Sequence, residues 1–210
     1  MFKYLTQHDS TLKTMPCFAI ENLIPVVDPT AFVHPTAVLI GDVIIGPNCY
    51  VGANAVLRGD FGRIAMHTGS NLQDNCVMHS FPGQDCIIEA DGHVGHGAIL
   101  HGCTVGKNAL VGMQSVVMDG ATIGANSFVA ACSFVKAGFE GAEQVLLIGN
   151  PVTVKRPLSD DEVAWKRRGT GEYQTLTERS LQSHRIVQPL TAEQTDRPRF
   201  TASNHTPKKS

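Results

Sequence analysis

At 210 residues the chain is long enough for one well-buried domain with a tail. Its formal charge of -2 supplies no basic excess, which argues against nucleic acid or an anionic membrane surface as a partner and favours small-molecule chemistry. Twenty glycines against 6% aromatic residues suit narrow coils with tight corners better than a helical bundle. No apolar run approaches the roughly 20 residues that span a bilayer, and the first fourteen residues lack the apolar core of a signal peptide, so a cytoplasmic location is expected. The six cysteines (Cys17, Cys49, Cys76, Cys86, Cys103, Cys132) have no CxxC spacing, and reduced, mostly packed thiols are expected.

Residues 1 to 17 carry little pattern and are expected to form a disordered extension. From Val33 an aliphatic residue recurs at every sixth position: Val33, Leu39, Ile45, Val51 and Leu57. The repeat breaks, returns at Met66, Leu72 and Met78, breaks again over residues 80 to 92, and restarts at Val94 and Leu100. After a one-residue shift it runs through Val105, Val111, Val117, Ile123, Val129 and Val135. The position four after each aliphatic is usually small, as at Ala37, Cys49, Ala55, Cys76, Ala98, Ala109 and Ser115. One bulky and one small inward position per six residues describe a short strand and a corner, and three such sides close a triangular coil. An amphipathic α-helix would return its apolar face every three to four residues, and a β-sandwich would show two-residue alternation and hairpin turns. The fold class expected is all-β, a parallel β-helix over residues 18 to 157, with roughly five coils of about eighteen residues between 33 and 136.

After Val135 the repeat gives way to a last strand near Leu146 to Ile148. A helix start follows, with Ser159 as N-cap, Glu162 three residues on, and Leu158 with Val163 as a hydrophobic staple. The helix is expected over residues 158 to 188, with a break at Gly169-Thr170-Gly171 as one option, packing through Val163, Trp165, Leu176 and Leu181. A polar tail, residues 189 to 210, is expected to be disordered.

Four histidines, His79, His93, His96 and His101, fall in one window, and imidazole is the commonest ligand for zinc and similar metals. The five-residue separation of His96 and His101 puts them on successive sides of a six-residue repeat, so they can hardly reach one ion within one chain. A metal site using both, with His79, needs a neighbouring subunit and implies a closed ring; a three-sided prism lends itself to a trimer. Hydrogen-bonded surface histidines are the alternative. Arg58-Gly59-Asp60 interrupts the repeat, and with Asn71, Gln73 and Asp74 it supplies polar groups that either orient a metal-bound water or tie subunits together. For Arg58 and Asp60 an interfacial salt bridge is favoured over direct catalysis. The segment from Ser80 to Gly92, with Phe81 and Asp85, is expected to project beside the site as a substrate cover or an exposed loop, and His93 to be a loop histidine.

The runs RGD at 58 to 60, NLQDNCVMH at 71 to 79 and VGHGAILHGC at 94 to 103, set among hexapeptide repeats, resemble the gamma-class carbonic anhydrase family. The fuller set, FVHPTAVLIGDV, LRGDFGRI, QDNCVMHSFPGQD, LVGMQSVVMDGA and AWKRRGTGEYQ, resembles its branch from phenylacetate-degradation and carnitine operons, over about residues 18 to 190. The resemblance implies a left-handed β-helix, a homotrimer, and zinc, or another divalent metal such as iron or cobalt, between subunits. It implies His79, His96 and His101 as metal ligands, Gln73 and Asn71 as groups lining the metal water, and Arg58 with Asp60 as the interfacial pair.

The archetypal enzymes of the class carry proton-transferring glutamates where this chain has Phe61 and Ser80-Phe81-Pro82, so fast CO2 hydration is not expected. The leading expectation is hydrolysis of acyl-CoA thioesters, phenylacetyl-CoA in particular, by a metal-bound hydroxide held by Gln73. Lys107, Lys136, Lys155 and Arg156 are candidates for CoA phosphates, with a solvated surface as the favoured reading. Carbonic anhydrase and a trimeric scaffold of a CoA-ligase or carnitine pathway are the alternatives. Acyl transfer ranks below all three, because the three-histidine set looks like a water-activating arrangement.

Overall fold

The computed structural model describes residues 16–200 and 205–206, and in it the hexad repeat winds into a left-handed parallel β-helix of about seven turns closed by one C-terminal helix. The three faces follow from the pairing. The first stacks Cys17–Phe18, the beginnings of Val38–Ile45 and Val56–Met66, then Val77–His79, Ile99–His101, Val116–Val117 and Phe134–Val135. The second stacks Val26–Val27, the ends of the same two long strands, Cys86–Ile88, Thr104–Val105 and Thr122–Ile123. The third runs from Phe32–Val33 through Tyr50–Val51, Asn71–Leu72, His93–Val94, Leu110–Val111 and Phe128–Val129 to Val145–Gly149.

Each face sends one aliphatic row inward. Leu39, Leu57, Met78, Leu100, Val117 and Val135 form one row, and Val33, Val51, Leu72, Val94, Val111, Val129 and Leu147 another, all buried. Full burial of each such side chain contributes about 1.5–3 kcal/mol, which is why the six-residue period dominates the sequence. The small positions lie under the corners, where Ser115 and Ser127 donate to the carbonyls of Ala130 (2.9 Å) and Ala142 (2.7 Å).

The turn count exceeds the five expected, because the Cys17–Phe18 and Val26–Val27 strands open a coil before Val33, and Val145–Gly149 adds another after Val135. The projecting segment is also shorter than expected. Only residues 80 to 85 leave the coil; Cys86–Ile88 is an ordinary rung with Cys86 and Ile88 buried, and Ile88 lies six residues before Val94. In the other direction, Val38–Ile45 and Val56–Met66 run through the corner between the first and second faces as continuous bent strands. Gly59 is needed there, since a Cβ on it would collide with the backbone carbonyl of Asp42 on the neighbouring coil.

The helix Asp160–Ser183 is unbroken through Gly169-Thr170-Gly171 and starts as expected: the Ser159 hydroxyl accepts from the Glu162 amide (3.3 Å) and Glu162 accepts from the Ser159 amide (2.9 Å). Leu158 and Val163 are buried with Phe128. Leu181, expected to pack, is exposed, and the buried stripe is instead Lys166, Thr170, Thr177 and Ser180. The Lys166 amine donates to the Asp91 carbonyl and to Asn108 Oδ1, and burial pushes its pKa down to about 7. Trp165 donates to the Thr206 carbonyl (2.9 Å). Residues 1–15, which hold most of the expected N-terminal extension, and residues 201–204 and 207–210 of the expected tail lie outside the described residues. No helix among the described residues is long and apolar enough to cross a membrane.

Candidate active site

Four successive coils bring one polar ladder to the corner between the first and second faces. Arg58 Nη1 donates to Asp60 Oδ2 (2.6 Å), and Asp60 Oδ1 lies 3.0 Å from His79 Nε2. His79 Nδ1 faces His101 Nε2 at 3.1 Å, and His101 Nδ1 meets Asp119 Oδ1 at 2.5 Å. The parallel register that pairs His79 with His101 builds this contact. A carboxylate at each end accepts an N–H, so the outer nitrogens carry protons and the two inner nitrogens turn lone pairs towards each other. Desolvation opposes the charge on Asp60, but hydrogen bonds from Arg58 and His79 outweigh it and hold its carboxyl below the usual range.

Phe61 and Phe81 flank the pair, the first 5.4 Å from the His79 ring and the second 5.8 Å from the His101 ring, centroid to centroid. Together with Ser80 and Pro82 they line an open pocket of about 70 Å³ against the two imidazoles. Ser80 is fully buried and its hydroxyl has no hydrogen-bond partner, an arrangement that costs about 1–3 kcal/mol. Asp85, expected to meet substrate, accepts from the Arg63 amide (3.1 Å) and ties the loop to the adjacent coil.

A second cluster stands where the third face turns into the first. Asn71 and Gln73 are buried there and hold His93: Gln73 Nε2 is 2.7 Å from His93 Nε2 and Asn71 Nδ2 is 3.2 Å from His93 Nδ1. His93 is therefore a strand histidine under the helix, where Tyr173 packs edge-on against it. Burial, followed by the nearby Lys166, lowers its pKa to about 3. His96 Nδ1 pairs with Asp74 Oδ2 at 3.1 Å, and Asp74 Oδ1 also caps the Ala53 amide at 2.7 Å. A groove of about 500 Å³ runs from Gln73 and His96 past Leu110, Met113 and Phe128 to Tyr173.

The structure thus brings together Arg58, Asp60, His79, Phe81 and His101, and separates Asn71, Gln73, Asp74 and His96 from them by the width of the first face. His96 and His101 do not converge within the chain, as the coil geometry requires. Asp119 was missed, although its position eighteen residues after His101, one coil on, is a readable signal.

The model of bacterial transferase hexapeptide repeats (six repeats) matches residues 25–59 and 102–137. The carnitine operon protein CaiE of Escherichia coli O157:H7 is 55% identical over 196 residues, covering 93% of this chain and 100% of the relative. The chain belongs to the bacterial hexapeptide-repeat transferase family. Two solved structures agree: a Bacillus cereus protein assigned as an acetyltransferase (31% identical, TM-score 0.78, 79% of this chain and 96% of that one) and a hexapeptide transferase family protein from Anaplasma phagocytophilum (36%, TM-score 0.75, 78% and 96%).

Membership of the hexapeptide-repeat transferases corrects the functional expectation. Metal-hydroxide hydrolysis of acyl-CoA, with carbonic anhydrase or a silent scaffold as alternatives, is overturned by the transferase class of these matches. Within one chain, among the described residues, no three His, Cys, Asp or Glu side chains form a group that could hold a metal ion, and His96 stands at the far corner with Asp74, so the three histidines do not form a zinc site in the single chain. Asn71 and Gln73, expected at a metal-bound water, hold His93 instead. Of the cations considered for CoA phosphates, Arg156 is engaged by Glu162 through two bonds of 2.8 Å.

Proposed function

We propose that this chain is an acetyltransferase that moves a small acyl group from a CoA thioester to an amine or hydroxyl acceptor, with the His79–His101 pair as its base. The observation that carries this is the pair itself: two imidazoles 3.1 Å apart, each backed by a carboxylate that fixes its tautomer. The acceptor N–H or O–H gives its proton to an inner ring nitrogen as its nitrogen or oxygen attacks the thioester carbonyl carbon. The new C–N or C–O bond forms while the carbonyl π pair moves to oxygen. On collapse the C–S bond breaks, and sulfur departs with the bonding pair and takes the proton from the imidazolium. The enzyme ends as it began. Asp60 and Asp119 orient the rings and offset the positive charge during transfer, and Arg58 holds Asp60 in place.

A homotrimer completes the proposal. Ile99 and Met113, large apolar side chains near the edge of the first face that carries His96 and Asp74, are 42% and 53% exposed in the isolated chain. A neighbouring copy would cover them. Sedimentation of the purified protein at three times the chain mass is the expected result.

The deciding experiment follows free thiol release from acetyl-CoA with and without a panel of small amines and alcohols. Thiol release that depends on the acceptor, with one acetylated product per thiol, is expected. Release independent of any acceptor would overturn the reading.

A further inference from the structure

The outward column of the third face changes character part-way along the solenoid. Register stacks Asn71, His93, Leu110, Phe128 and Leu146 one rung apart, so polar rungs give way to apolar ones at Leu110. The groove of about 500 Å³ beside the helix spans this change: Gln73, His96 and Tyr173 line its polar end, and Leu110, Phe128 and Leu146 its apolar end. Those three apolar residues belong to the cluster under the helix start, with Leu158 and Val163. Rungs stand ~4.8 Å apart, so Leu110 to Leu146 makes a hydrocarbon wall about 10 Å long.

At the polar end the open atoms are acceptors. Gln73 is 4% exposed, and its Nε2 is committed to Asn71 Oδ1 (3.2 Å) and His93 Nε2 (2.7 Å). Its Oε1 has no hydrogen-bond partner among the described residues, and it is open to the groove rather than sealed. Asp74 Oδ2 lies 3.1 Å from His96 Nδ1, which favours the ring proton there and leaves Nε2 a lone pair. Asp74 also adds a negative charge on a side chain that is 42% exposed. Burial pushes the Tyr173 pKa up to about 12, so its hydroxyl stays neutral and brings no second negative charge. Two lone pairs beside a carboxylate match a cationic donor, and the wall beyond them matches an alkyl chain.

We propose that this groove binds a primary alkylammonium ion, whose N–H groups donate to Gln73 Oε1 and His96 Nε2 beside the Asp74 carboxylate while its chain lies along Leu110, Phe128 and Leu146. An anionic guest in the same place would face Asp74 and two lone pairs, so carboxylates are excluded. Met113, which the proposed trimer covers, is the exposed rim of the groove, whereas Phe128 is buried under the helix. The inference goes beyond the acyl-transfer reading: no acyl group takes part, and binding is measured without CoA, so either can fail alone.

The test titrates hexylamine into the whole chain by calorimetry, with ethylamine, hexan-1-ol and hexanoate as comparisons. Hexylamine is expected to bind with a Kd of about 0.1–1 mM, in keeping with its few non-hydrogen atoms. Ethylamine, which lacks most of the chain, should bind about 10- to 100-fold more weakly, and hexan-1-ol, which lacks the charge, about tenfold more weakly. Hexanoate should not bind. Asp74→Asn, which keeps the oxygen that caps the Ala53 amide, and His96→Leu are each expected to weaken hexylamine about tenfold. Ala131→Phe, at an exposed position lining the groove, is expected to abolish binding by filling it. Melting temperatures near that of wild type are expected for Asp74→Asn and Ala131→Phe, whose side chains are exposed, and separate lost binding from lost folding. Nuclear Overhauser contacts between the hexyl chain and the Phe128 ring would locate the guest. No heat at about 10 mM hexylamine, equal binding of hexylamine and hexanoate, or a Kd unchanged by Asp74→Asn and Ala131→Phe would each overturn the proposal.

Discussion

The chain holds two histidine clusters at two corners of one solenoid; His79 and His101 differ from His93 in what stands behind the imidazole, while His96, beside His93, pairs with Asp74 at the surface. At the first-to-second corner His79 and His101 are backed by the carboxylates of Asp60 and Asp119 and face an open pocket. At the third-to-first corner His93 is gripped by the amides of Asn71 and Gln73 and roofed by Tyr173. Carboxylates hold an imidazole ready to take up positive charge; neutral amides and burial keep one uncharged. The partner, more than the histidine, decides between chemistry and architecture.

The largest test of this difference is catalytic. His101→Ala is expected to lower acetyl transfer by about 10³-fold with Tm nearly unchanged, while His93→Gln is expected to alter Tm and leave kcat within a few-fold. Comparable loss of kcat in both would erase the distinction between the corners. Asp119→Asn comes next, with a fall in kcat of about 10- to 100-fold, because the amide leaves the His101 tautomer undefined. Stopped-flow thiol release measures both.

The remaining tests are of stability. The folded chain releases the Lys166 proton near pH 7, whereas the unfolded chain keeps it to about 10.5, so between these values the unfolded state binds more protons. Stability should therefore rise with pH from 7 to 10 by roughly 2–4 kcal/mol, and urea titrations of Lys166→Met should lose that slope. His93 gives the smaller effect on the acid side. Its folded pKa of about 3 lies below the unfolded ~6.5, so its contribution is complete above 6.5 and is lost as pH falls towards 3. A loss of about 1–3 kcal/mol is expected in wild type, and a flatter acid limb in His93→Gln.

Much of the fold was legible because burial repeats. Every aliphatic hexad position from Leu39 to Val135 lies inside, and the capping box at Ser159 formed as read. The helix's packing stripe was not legible, because Lys166, Thr170, Thr177 and Ser180 are polar and hydropathy marks such residues as solvated; their burial depends on partners such as the Asp91 carbonyl, far away in sequence. The separation of His96 from His101 followed from coil geometry. What the sequence concealed was pairing across coils. Asp119 and Ser80 look ordinary until register sets one beside His101 and burial leaves the other without a partner. Transferase chemistry was ranked too low because the three histidines, shared between neighbouring subunits, were read as a water-activating set.

The rungs of the third face are 18 residues apart from Leu110 to Phe128, but 21 from Tyr50 to Asn71 and 22 from Asn71 to His93. The extra length in those two coils leaves at one corner, as the bent strand through Asp60 and as the loop from Ser80, and the inward rows continue past it without a gap. A stacked coil couples only to its neighbours, so the wall at this corner can lengthen, shorten or change sequence at a single bend while the shaft that carries it stays the same. Specificity is thereby free to diverge through local insertions, without any demand on the folding of the whole.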